Sequence, residues 1–165
     1  MQTDIDENLI RVKRVDAFFY PLHAIPTMVL YLEDSREFKM FYIPPEIVIL
    51  VNKLQGKNEY EQIVASDNRE SIYDVLYDIL SFSSDVKEYL KKIVNRVIID
   101  DIVRESGVYV ATVEFKFDGV IIEKKLIPSH AVLLALLCDK PIYVKKQLVE
   151  EQEDEEKKRG SGNEL

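Results

Sequence analysis

The stretch VYVATVEFKFDGVIIEKKLIPSHAVLLALLC, residues 108–138, decides how the chain folds. Its first part alternates Val113, Phe115 and Phe117 against Thr112, Glu114 and Lys116, the period of two with which a strand presents one apolar face. Asp118-Gly119 is a strong tight-turn signal, so Val120–Leu126 is expected to return as an antiparallel partner. Pro128-Ser129 then caps a helix, His130–Cys138, that is apolar on every side, and such a helix belongs at the centre of a core. The predicted class is α+β, a mixed, mostly antiparallel sheet packed with helices.

Working outward, Ile10–Phe19 reads as a strand, broken by Tyr20–Pro26. Thr27–Leu32 and Phe38–Ile43 flank the polar residues 33–37 and suggest a hairpin with a longer loop. Pro44 and Pro45 end that strand and open a helix over Glu46–Gln55, with Gly56 as its stop, although the β-branched run Ile47, Val48, Ile49 pulls the other way. In Ser71–Leu80, Ile72, Val75, Leu76, Ile79 and Leu80 share one helical stripe behind a Ser71 N-cap. Asp85–Ile93 is a second short helix, with Asp85 and Glu88 at capping-box spacing and Val86, Leu90 and Ile93 on its buried side. Val94–Val103 and Ile142–Val144 have strand composition. One domain is expected over residues 1–149, followed by an acidic, disordered tail at 150–165, whose like-charge block offers too little apolar area to offset the entropy of ordering. The alternative there is a frayed helical extension through Gln147–Glu156.

Composition narrows the function. With 165 residues, 47% of them hydrophobic and 32% charged, the chain can bury one core without disulfides or metals. Its net charge is −8, and residues 150–165 hold seven acidic against three basic residues, so the remainder is only mildly acidic. Tight, non-specific duplex binding needs a concentrated basic surface and is disfavoured; weak engagement of a flexible strand is compatible with this balance. The longest apolar runs, Ile47–Val51 and Ala131–Cys138, fall far short of the roughly 20 residues of a membrane-spanning helix. The acidic, polar Met1–Glu7 does not resemble a secretory signal, so a cytoplasmic location is expected. The single cysteine, Cys138, excludes an internal disulfide and reads as a small buried hydrophobe. Abundant Ile, Val, Lys and Glu with few Gln give a thermophile-like composition.

Few residues suggest chemistry. No glycine-rich phosphate loop, Gly-x-Ser-x-Gly elbow or CxxC pair occurs, and His23 and His130 are the only histidines. Ser129 and His130 are adjacent at a helix start, where neighbouring side chains diverge, so a helix cap is expected rather than a nucleophile with its base. Asp74 and Asp78 lie one helical turn apart and are candidate oxygen ligands for a divalent cation; the plainer reading is a solvated face opposite the aliphatic stripe. For Asp100 and Asp101 a structural or solvent role is expected, because adjacent strand residues face opposite ways. Tyr73 and Tyr77 are candidates for stacking on single-stranded bases or for an oligomer contact.

The run Ile127-Pro128-Ser129-His130-Ala131, the apolar helix behind it and Pro141-Ile142-Tyr143-Val144 resemble the hallmark of the bifunctional nuclease domain family, Arg-Pro-Ser-Asp-Ala, an apolar helix, then Pro-Ile-Phe/Tyr-Val. Arg69–Leu80 is similar to that family's Arg-Pro-Leu-Thr-His-Asp-Leu-Leu segment, and Ile99-Asp100 with Gly107–Ala111 resembles its intervening strand pair. Order and spacing agree from about Thr27 to Leu148. The resemblance implies the family fold, a homodimer, and hydrolysis of DNA and RNA. On that basis the candidate catalytic residues are Asp74, Ser129 and His130, with Asp74 and Asp78 holding Mg²⁺ or Mn²⁺, His130 as general acid, and a single-stranded DNA or RNA partner. Ile127 and His130 replace the hallmark Arg and Asp, and Ile72-Tyr73 replaces Thr-His. These departures remove a phosphate-binding fork and a carboxylate, which implies weakened activity or, as the alternative, a noncatalytic homodimeric interaction module.

Overall fold

Seven strands form one sheet, in a computed structural model that describes residues 6–57, 59–60 and 67–162. A short 3₁₀ turn, Asp6–Asn8, leads into β1 (Leu9–Tyr20), β2 (Ile25–Leu32) and β3 (Glu37–Phe41), followed by α1 (Pro45–Leu54), α2 (Ile72–Phe82) and α3 (Ser84–Ile93). Then come β4 (Val94–Val103), β5 (Val108–Phe117), β6 (Val120–Leu126), α4 (Pro128–Cys138), β7 (Ile142–Lys145) and α5 (Lys146–Ser161). The strand order is β3-β2-β1-β7-β4-β5-β6, antiparallel throughout except for the parallel pair β4/β7. The expected α+β class and mostly antiparallel sheet are therefore what the chain builds. No helix among the described residues is long and apolar enough to cross a membrane.

The shortest strand holds the centre. β7 joins two antiparallel halves, with Ile142 and Val144 buried between β1 and β4. Because it pairs only with Leu9–Arg11, the rest of β1 has an open edge on that side. Helix α1 seals it: Asn52 Nδ2 donates to the Ala17 carbonyl at 2.8 Å and Gln55 Nε2 to the Val15 carbonyl at 2.6 Å. Buried carbonyls without partners would destabilise this seam, so two amide side chains stand in for a missing strand. Helix α4 covers β4 and β5, and its Ala131, Val132, Ala135 and Cys138 are buried, as its uniform hydrophobicity predicts.

Three expectations are corrected. Residues 150–161 belong to the 16-residue α5, the helical alternative carried further, rather than to a disordered tail. Leu148 and Val149 anchor it in the core, and Gln152 accepts from Lys39 N at 2.7 Å and donates to Lys39 O at 2.9 Å, completing the outer edge of β3. Its acids meet distant cations: Glu151 with Arg104, Glu153 with Arg36 and Glu156 with Lys39. Second, the N-cap of α3 is Ser83, whose hydroxyl accepts from Val86 N, and not Asp85. Third, α2 buries a different face. Ile72, Val75, Leu76 and Ile79 are 66, 39, 42 and 46% exposed, while Tyr73, Tyr77 and Leu80 turn toward the core. These last three residues are themselves at i, i+4 and i+7, so two apolar stripes compete for one surface and the larger, aromatic one docks.

One ion pair inside the sheet gives a pH prediction. Glu114 on β5 is buried, and its Oε2 accepts from Arg96 Nε and Asn95 Nδ2, each at 2.9 Å. Burial pushes this carboxyl up, but the bonds from Arg96 and Asn95 outweigh it and hold the group below its ordinary range. A depressed folded-state pKa adds stability that is complete above the unfolded value of about 4.3 and is lost as pH falls through the folded one. Glu114→Gln should therefore cost about 1–3 kcal/mol at pH 7 and flatten the fall in melting temperature between about pH 5 and 3, measured by thermal melts. An unchanged acid limb would remove Glu114 as its cause.

Candidate functional site

The start of α4 is where the sequence-derived candidates gather, and local chemistry explains why it is unusual. Ile127 is the N-cap residue and has no side chain able to accept from the first turn; Pro128 at N1 lacks an N–H, and the amides of Ser129 and His130 are left without a capping side chain. The expectation that Pro128-Ser129 caps this helix is thus corrected. Ser129 lies inside the helix, is 2% exposed, and its hydroxyl has no hydrogen-bond partner among the described residues. It lines a cleft of about 720 Å³ between the outer edge of β3, the β4–β5 turn and α5.

His130 turns away from that cleft, as neighbouring positions on a helix must. Its Nε2 lies 2.8 Å from the Tyr73 hydroxyl, with the two rings edge to face at 5.4 Å. Burial, and then the negative Glu46, hold the Tyr73 phenol above its usual pKa, so it keeps its proton. Tyr77, one turn on, has the Lys53 ammonium 4.6 Å above its ring. Both tyrosines are packed against α1 and the core rather than displayed for bases or a partner chain.

Asp74 stands beside Tyr73, so the 73–74 turn and the α4 start are neighbours in space, but its carboxylate is engaged. Oδ2 accepts from Ser71 N and Ser71 Oγ, each at 2.9 Å, while Ser71 Oγ accepts from Asp74 N, a complete capping box. Asp78 follows one turn later, half-buried like Asp74. No group of three or more His, Cys, Asp or Glu among the described residues is placed to hold a metal ion. Asp74 and Asp78, one helical turn apart, are therefore at most two carboxylate ligands, fewer than a cation held by the protein alone takes. Ser129, His130 and Asp74 therefore adjoin along the chain fold without converging on one point.

Asp100 also has a definite place. Thr112 donates to Asp100 Oδ2 at 2.7 Å, Lys125 donates to Thr112 Oγ1 at 2.6 Å, and Lys125 pairs with Asp100 at 3.6 Å, while Asp100 Oδ1 is buried without a partner. Asp101 is exposed and accepts from Ile102 N. Sequence reasoning missed the cleft residues contributed by β3 and α5, above all Arg159, because their only sequence signal is that they are charged or apolar surface types.

Among curated proteins, no sequence matches this chain. A family model, the bifunctional nuclease domain, matches residues 54–157, which include α2, the β4–β6 strands, α4 and most of α5. That match spans well over half of the chain, and the chain belongs to the bifunctional nuclease domain family.

Proposed function

We propose that this domain hydrolyses phosphodiester bonds in single-stranded or otherwise flexible DNA and RNA, with Mg²⁺ or Mn²⁺ as its metal. The observation that carries this reading is the 2.8 Å link between Tyr73 and His130, which ties the only histidine of the α4 start to the turn bearing Asp74. His130 acts as the general acid in its imidazolium form: it gives the Nδ1 proton to the leaving oxygen as the P–O bond breaks, water supplies the new oxygen on phosphorus, and that water's proton passes to solvent. Tyr73 is a positioning residue that holds the imidazole at Nε2. Asp74 and Asp78 would hold the metal ion, whose charge neutralises the phosphate oxygens. The net charge of −8 keeps strand binding weak and favours substrates that bend into the site over rigid duplex.

The test is cleavage of labelled single-stranded DNA and RNA with Mn²⁺ and with chelator. His130→Ala should lower the rate about 10²–10⁴-fold. Asp74→Asn, which retains an acceptor for the cap, and Asp78→Asn should raise the metal concentration required, and Tyr73→Phe should move one limb of the pH–rate profile. Cleavage that survives both chelator and His130→Ala belongs to a contaminant, and the enzymatic reading falls.

A second reading, a noncatalytic homodimeric module, is favoured by one observation. The outer face of α2 shows Ile72, Leu76 and Ile79, and the adjoining α3 shows Val86 and Tyr89. Exposed apolar side chains on two neighbouring helices suit a second copy of the chain.

A further inference from the structure

We propose that the cleft beside Ser129 binds a nucleoside monophosphate, or the phosphate-bearing end of a strand, with the phosphate on the first turn of α4. The choice of a nucleotide rests on the nuclease reading; the phosphate site does not. Three observations converge. The first turn of α4 has amide donors and no capping side chain, and a helix N-terminus of this kind favours an anion. Ser129, a residue almost wholly buried, lines the cleft, and its hydroxyl has no partner among the described residues, so it is a donor available to a ligand. Arg159 of α5 lines the same cleft and forms no ion pair with a described residue.

The rest of the cleft selects what accompanies the phosphate. Lys39 is neutralised by Glu156 at 3.2 Å, and Glu155 lines the cleft along with Arg159, so the lining carries no net charge. It suits one phosphate and repels a polyphosphate. Its other walls are Phe41, Tyr42, Val108 and Ile127, all substantially exposed. Tyr42 has φ of 58°, a left-handed backbone that a bulky residue adopts only under constraint, and this sets its ring on the cleft rim. Aromatic faces beside a phosphate site are the surface on which a base stacks. The volume, about 720 Å³, is that of a small-ligand pocket and takes a single nucleotide.

The experiment is a calorimetric titration of the full chain, with chelator present, using thymidine 5′-monophosphate, thymidine and inorganic phosphate. The monophosphate should bind at least about 10-fold more tightly than either fragment, because each makes only half of the contacts. Ser129→Ala and Arg159→Gln should each weaken it about 5–10-fold. Ile127→Asp separates binding from folding: a carboxylate at the N-cap takes the orphan amides and repels phosphate, so melting temperature should rise while binding is lost. Equal affinity for thymidine, or binding indifferent to both Ser129→Ala and Ile127→Asp, overturns the proposal. Strand cleavage without monophosphate binding sinks this site and leaves the nuclease reading standing; binding without cleavage does the reverse.

Discussion

Ending the chain at Val149 should lower its stability by about 2–5 kcal/mol and make it prone to association. Residues 150–161 contribute no large apolar area, so the loss comes from hydrogen bonds and from an uncovered strand edge. Gln152 exchanges two bonds with the Lys39 backbone and donates to the Tyr109 hydroxyl at 3.2 Å. Each is a net contribution of about 0.5–1.5 kcal/mol, and removing their shared partner leaves half-buried backbone groups unsatisfied. The Arg36–Glu153 and Lys39–Glu156 pairs add about 0–1 kcal/mol each, since both are substantially solvated. For a chain of this size that sum corresponds to a fall of roughly 5–15 °C in melting temperature. Gln152→Ala alone should account for about 1–3 kcal/mol of it. The uncovered edge of β3 then offers free N–H and C=O groups to another chain, so light scattering should increase after truncation. A truncated chain that melts with the full-length one would return residues 150–165 to the status of a tail.

The second large effect separates two apolar helix positions that look alike in the sequence. Leu50 of α1 is fully buried, and Leu50→Ala should cost about 2–5 kcal/mol through lost transfer energy and a residual cavity. Ile79 of α2 is 46% exposed, and Ile79→Ala should cost less than about 1 kcal/mol in the isolated chain. Denaturant titration measures both. The same variant reports on assembly: if α2 meets a second copy, the melting temperature of the native protein rises with concentration, and Ile79→Glu abolishes that dependence. Equal costs for the two alanine variants at every concentration would put the aliphatic stripe of α2 inside the monomer and refute the exposed face described here.

Much of the fold was legible in local pattern. The 108–126 hairpin follows from alternation and an Asp-Gly turn, with Asp118 and Gly119 both at positive φ. The Pro-opened α1 formed despite its β-branched run, because Ile47 and Val48 of that run are buried in a helix packed on β1 and β2, where packing outweighs a small propensity penalty. Of the candidate residues, Asp74 was recognisable as important but not as a cap partner, since the spacing of Ser71 and Asp74 serves a capping box as readily as Asp74 and Asp78 serve a cation. Asp78 showed no feature beyond that spacing. Ser129 and His130 diverge as adjacent helical residues must, but the role of each depends on neighbours 57 or more residues away in the case of Tyr73, and on α5 for the cleft.

By itself, then, the amino-acid order determined which segments before residue 146 become strands and helices, and that α4 is central, because these depend on contacts within a few residues and on total hydrophobicity. Tertiary structure alone decided which of two stripes on α2 is covered, that the acidic segment is a docked helix, and that Ser129 lines a cleft. The physical reason is common to all three: a stripe, a charge or a hydroxyl takes its energy from the surface it meets, and Arg36, Lys39 and Arg104 meet α5 only once the sheet has brought them there.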